Sequence, residues 1–174
     1  RMARGLRPLS TDPAADLDIL FRRAVFAWLI ADGDMHLKNL AMLKIAEAGA
    51  KGFTSVRFAP LYDAVTTRVF PGLGGDRMAL KLNGKDDRLT RQDFLGLART
   101  IGLTAGEAED AIIDLAGRVA EAAEALGLPA FAAQSQTARD TQEKVIALVA
   151  NRCAALTADV DDRPPDRDEH RTQN

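Results

Sequence analysis

Apolar residues at Leu17, Leu20, Phe21, Ala24, Val25, Trp28 and Leu29 recur at spacings of three and four, the period of one buried helical face. Asp12 offers an N-cap, and Pro13 suits the first helical position, where a missing N–H is no loss. A helix is therefore expected from about Pro13 to Ile30, with Asp16 and Asp18 near its start favouring the macrodipole and Trp28 as its largest buried group. Beyond it the pattern changes to a polar loop, Asp32-Gly33-Asp34-Met35-His36-Leu37-Lys38-Asn39, and then to a short apolar run, Leu40 to Leu43, that reads as a strand. The loop thus leaves a buried helix end, a rigid base for chemistry.

Glycines around Ala48 to Gly52 mark a turn, and Phe53 to Phe58 gives a second strand candidate, so a hairpin is the simplest connection. Pro60 breaks that strand and sends Leu61-Tyr62-Asp63-Ala64-Val65 in a new direction, which should present Asp63 at a strand end. From Arg68 to Lys85 the prolines and glycines describe a loop-rich passage with one extended piece, Met78 to Leu82. Helical patterns then take over. Phe94, Leu97, Ala98 and Ile101 mark one face, closed by Gly102 as a C′ residue. Thr104 and Glu107 have capping-box spacing and open a longer helix through Leu126, stopped by Gly127 and Pro129. A last helix, from about Thr137 to Ala158, carries Val145, Leu148, Val149, Arg152 and Leu156. The fold class expected is mainly α with a small β-hairpin. Residues 1–11 read as a flexible basic start, and 161–174, rich in charge and lacking large apolar residues, as a disordered tail.

Composition adds few constraints. The 174 residues suit one domain, and 47% hydrophobic content is enough for a real core. A net charge of −2 gives no basic surplus for nucleic acid or a membrane surface. Cys153 is the single cysteine, so no intramolecular disulfide forms and a buried structural thiol is expected. No apolar run reaches the roughly 18 residues of a membrane span, and the start lacks a signal-peptide core, so a cytoplasmic protein is expected.

Chemistry concentrates in the polar loop. Asp34 and Asn39 stand five apart with His36 and Lys38 between them, and Asp63 arrives later. Oxygen ligands and cations in that inventory suit phosphoryl transfer, where an aspartate accepts a hydroxyl proton, an asparagine and a second aspartate hold magnesium, and cations steady the phosphates. The Asp-to-Asn interval is that of the protein-kinase catalytic loop.

The neighbouring words sharpen the match. Phe26-Ala27-Trp28-Leu29-Ile30, Asp34-Met35-His36-Leu37-Lys38-Asn39, Leu61-Tyr62-Asp63 and Leu80-Lys81-Leu82-Asn83-Gly84 together resemble the HipA family of toxin kinases, over about residues 14 to 100. The resemblance implies a kinase-like fold and a serine/threonine kinase using ATP and magnesium, paired with a small DNA-binding antitoxin of the HipB type, so that DNA is met only through the antitoxin. It implies Asp34 as catalytic base, Asn39 and Asp63 as magnesium ligands, and His36 and Lys38 near the phosphates. Family substrates include an aminoacyl-tRNA synthetase. Residues 1–33 are too few to hold the family's amino-terminal lobe, so residues 12–160 are expected to form the carboxy-terminal lobe alone, weak in nucleotide binding without its missing partner lobe.

Plainer readings compete at several positions. Asp32 is expected to be a turn or cap residue, because the five-residue interval belongs to Asp34. An EF-hand starting at Asp32 would need glycine at Leu37 and glutamate at Leu43. Zinc is disfavoured, since the other histidine, His170, lies in the tail and Cys153 is remote. Tyr62 should pack and aim Asp63, while Lys81 and Lys85 default to solvated charges. Gly72, Gly74 and Gly75 lack the Lys-Ser/Thr and helix of a phosphate loop. At the level of function, the alternative to a kinase lobe is a non-catalytic module that holds a HipB-like antitoxin or a separate lobe. A magnesium-dependent phosphohydrolase shares the carboxylates but no further motif.

Overall fold

A computed structural model describes residues 2–158. Its central element is the helix the apolar pattern requires, Pro13–Leu29, numbered α2 because a short helix, α1 (Met2–Leu6), precedes it. Asp12 accepts a hydrogen bond from the Ala15 N–H at 3.2 Å, as an N-cap should. All seven apolar positions of the expected face are buried, with Phe21, Val25 and Leu29 fully enclosed.

Five other elements pack on α2: α1, the strand β2 (Ser55–Phe58), and the helices α3 (Arg91–Ile101), α4 (Ala105–Glu124) and α5 (Gln136–Thr157). That explains why α2 is buried well beyond one stripe, even at Asp16 and Arg23. Asp16 accepts from Ser10 Oγ at 2.6 Å, Arg57 Nε at 3.0 Å and the Phe58 N–H at 3.3 Å, and so fastens β2 to the helix. Arg23 donates to the Ala59 carbonyl and lies over the Phe58 ring at 4.8 Å.

The helical caps follow the sequence closely. Thr90 and Asp93 form a capping box at α3, whose Gly102 takes φ 90°, a left-handed conformation natural only to glycine. Thr104 and Glu107 form a second at α4, with the Thr104 N–H donating to Glu107 Oε2 at 2.8 Å. Helix α5 starts at Gln136, and Val149, Arg152, Cys153 and Leu156 are its buried residues.

The hairpin is present, but its first strand is later than expected. Leu37–Asn39 closes a 3₁₀ turn, and β1 is Met42–Ile45, paired antiparallel with β2 in the register Met42↔Phe58 to Ile45↔Ser55. The apolar run Leu40 to Leu43 is divided because the turn bond Leu40 N–H to Leu37 O (3.3 Å) holds its first residue back. Residues 2–11 make contacts with the rest of the fold: Leu6 is buried, Arg7 donates to the Ile101 carbonyl at 2.9 Å, and the Thr11 N–H pairs with Val56 O at 2.9 Å. Asp63 does not sit at a strand end, because residues 61–65 pair with no strand and Asp63 itself has φ 54°. The piece Met78 to Leu82 ends in a tight reversal, where Asn83 (φ 51°) and Gly84 (φ 88°) let Leu82 and Lys85 exchange bonds of 2.8 and 2.9 Å. The expected tail, 161–174, lies outside the described residues.

Candidate functional site

The polar loop begins where α2 is forced to stop. The Ala31 N–H bonds Trp28 O at 3.1 Å and the Asp32 N–H bonds Ala27 O at 2.8 Å, with Ala31 at φ 57°. A left-handed alanine costs about 1–2 kcal/mol, so this exit is imposed by its surroundings. One of them is Arg152 of α5, which donates to the same Trp28 carbonyl and stacks 3.8 Å over the Trp28 ring. Burial, with the nearby Arg68 charge, lowers the Arg152 pKa to about 10, which still leaves a cation at the helix C-terminus.

Asp32 is buried under the loop. Its carboxylate accepts the Asp34 N–H at 3.0 Å and also faces the N–H groups of Val65 and Met35, while burial raises its pKa. Gly33 comes next, where any side chain would have to displace its neighbours. A Cβ would fall 2.0 Å from Asp76 Oδ2 and 2.7 Å from Thr67 Oγ1. Gly33→Ala is therefore expected to cost about 1–3 kcal/mol and to shift the loop, read as a lowered denaturation midpoint. An unchanged midpoint would contradict this packing.

Asp34 then points outward, its side chain 60% exposed. His36 Nε2 stands 3.9 Å from Asp34 Oδ1, beyond a hydrogen bond, and His36 Nδ1 is buried with no partner among the described residues. Asn39 is buried, and its amide nitrogen donates to two backbone carbonyls, Asp34 O at 3.2 Å and Asp63 O at 3.4 Å. Tyr62 Oη donates to Lys38 O at 2.5 Å, so the residue before Asp63 is tied to the residue before Asn39. The structure thus brings Asp34, His36, Asn39 and Asp63 to one place, with the Lys38 side chain exposed at its edge. Lys81 and Lys85 lie elsewhere, paired with Asp86 at 3.1 Å and Asp93 at 2.7 Å.

The oxygen donors here are of the kind that suits magnesium. Both Asn39 contacts use Nδ2, so neither occupies the Oδ1 oxygen, and one of them reaches the backbone of Asp63. Among the described residues no group of three or more Asp, Glu, His or Cys side chains is placed to hold a metal. Magnesium commonly takes one or two protein oxygens and completes its shell with phosphates and water, so a sparse donor set suits it better than zinc.

Three residues of this arrangement carry no role in the sequence reading. Asp32 was legible only as a turn residue, Thr67 gave no signal, and Arg152 could have been noticed as a charge within the apolar stripe of α5.

The helical body with its small hairpin, and the polar loop leaving its central helix, match a protein-kinase-like fold of the HipA type. Residues 1–126 match the HipA-like C-terminal domain family, and the chain belongs to that family. Among solved structures it is similar to the HipA toxin of Shewanella oneidensis MR-1 in its toxin–antitoxin complex with HipB and operator DNA. The TM-score is 0.72 at 16% identity, a likeness of fold. That alignment covers 90% of this chain and 35% of the other, so the chain spans about a third of the protein it matches. No curated protein matches the sequence.

Proposed function

We propose that the chain is the catalytic lobe of a HipA-like serine/threonine kinase that passes the γ-phosphoryl group of ATP to a protein hydroxyl. The observation that carries this reading is the Asn39 side chain, whose amide joins the backbones of Asp34 and Asp63. One residue thereby sets a base and a metal ligand side by side, as phosphoryl transfer by positioning requires.

In this reading the exposed Asp34 carboxylate accepts the proton of the incoming hydroxyl. The freed oxygen forms its bond to the γ-phosphorus as the bond to the ADP oxygen breaks. Asn39 Oδ1 and the Asp63 carboxylate would hold magnesium, which would offset charge on the phosphates. His36 and Lys38 face the same phosphates. The proposed acceptor is a protein, with an aminoacyl-tRNA synthetase as the family precedent, and the proposed setting is the cytoplasm. Among the described residues no helix is long and apolar enough to cross a membrane.

The site face is open. Asp34 and Asp63 are exposed, and Leu61, Tyr62 and Val65, close to Asp63 in the chain, each leave more than a third of their surface accessible. A further lobe over this face would cover the nucleotide, and a HipB-like antitoxin that itself contacts DNA is the regulatory partner.

Asp63→Asn tests the metal role. With magnesium, nucleotide affinity should fall about tenfold or more, while without magnesium the two proteins should bind alike. An unchanged magnesium titration would remove Asp63 from the site.

A further inference from the structure

The Asp34 and Asp63 side chains both stand exposed, so their spacing depends on how their two loops are fastened beneath them. Asn39 and Tyr62 fasten the loops near the ligands. A second fastening lies deeper and is independent of any ligand. It is centred on Thr67, four residues past Asp63 and only 8% exposed.

The Thr67 N–H donates to the Ala31 carbonyl at 3.2 Å. Its hydroxyl donates to that same carbonyl at 3.2 Å and accepts the Gly33 N–H at 3.1 Å. A hydroxyl has one proton to give and lone pairs to receive, so both bonds form together. The close approach is possible because Gly33 has no Cβ, which would stand 2.7 Å from the Thr67 oxygen. Asp32, between Ala31 and Gly33, faces the Val65 N–H of the Asp63 loop. The two residues flanking Asp32 are thus held to one side chain of the Asp63 loop.

We propose that Thr67 is a positioning residue of the site: its buried hydroxyl sets the distance between the Asp34 and Asp63 loops, and so the affinity for the metal–nucleotide. This rests on the phosphoryl-transfer reading above. Thr67 touches neither nucleotide nor metal and acts only through the backbone of its neighbours.

Thr67→Val keeps the shape and removes the hydroxyl, whereas Thr67→Ser keeps the hydroxyl and removes the methyl group. Thr67→Ala removes both and must agree with Thr67→Val. Two readouts on the 174-residue chain separate positioning from general stability. One is magnesium–ATP affinity from amide-shift titration, and the other is hydrogen exchange at the Gly33 amide against Val25 in the core of α2.

Thr67→Val and Thr67→Ala should weaken magnesium–ATP binding about tenfold or more and speed exchange at Gly33, with Val25 unchanged. Thr67→Ser should stay within about twofold of wild type in both, because the hydrogen bonds survive. Wild-type affinity in Thr67→Val, or unchanged Gly33 exchange, would overturn the positioning role alone. No magnesium–ATP binding by the wild-type chain even with a nucleotide-covering lobe in place would instead overturn the phosphoryl-transfer reading, and the positioning role with it.

Discussion

Asp34→Asn, with a nucleotide-covering lobe in place, should lower phosphotransfer by roughly 10²–10⁴-fold, the range that a positioned general base contributes. The substitution keeps shape and removes the site that takes the proton. Because the Asp34 side chain is 60% exposed and its backbone contacts survive, the folding free energy should change by no more than about 0.5 kcal/mol. The expected result is a folded protein that binds magnesium–ATP and transfers little, read from turnover with a protein acceptor. Undiminished turnover would reject Asp34 as the base. A loss of binding equal to the loss of turnover would make it a ligand instead.

The largest expected effect on stability lies away from the site, at Asp16. Its carboxylate is wholly buried and answers three donors: Ser10 Oγ, Arg57 Nε and the Phe58 N–H. Asp16→Ala leaves those donors facing an apolar gap and should cost about 3 kcal/mol. That is the low end for a broken buried pair, because Arg57 stays one-third exposed and keeps a second contact, Asp12 at 3.4 Å.

The same carboxylate makes stability depend on pH. Burial pushes its pKa up, but the Ser10 hydroxyl, Arg57 and the Phe58 amide outweigh it, so the folded value lies below the ordinary 3.8. A depressed folded pKa gives stability that is complete above the unfolded value and is lost as pH falls through the folded one. Denaturant unfolding should therefore show the gap between wild type and Asp16→Ala constant from neutrality down to about pH 5 and shrinking below the ordinary value. A gap that stays constant far into acid would show that Asp16 is not held ionised by these partners.

What could be read from the sequence was whatever is encoded locally. The face Leu17 to Leu29, the Thr90 and Thr104 caps and the Gly102 stop each depend on residues within a few positions, and each helix appears within about two residues of its expected ends. Helix α1 escaped because Leu6, its one buried residue, makes no period in five residues. The Asn83-Gly84 reversal carried a recognisable signal that the surrounding glycines obscured. In the site, the spacing of Asp34 and Asn39 could be read directly, whereas the fastening of their loop could not. The Gly33–Thr67 bond joins residues 34 apart and the Arg152–Trp28 bond residues 124 apart, and no local pattern records such pairings.

In the proposed function, the loops bearing Asn39 and Asp63 form one metal–nucleotide site. Manganese prefers the same oxygen ligands as magnesium and broadens the resonances of nuclei close to it, weak binding included. Adding manganese with ATP to the chain should broaden the amides of Asp34, Asn39 and Asp63 first and together, and Asp63→Asn should remove the effect. Broadening centred elsewhere, on the Asp86 and Asp87 loop for example, or broadening unaffected by Asp63→Asn, would contradict the account.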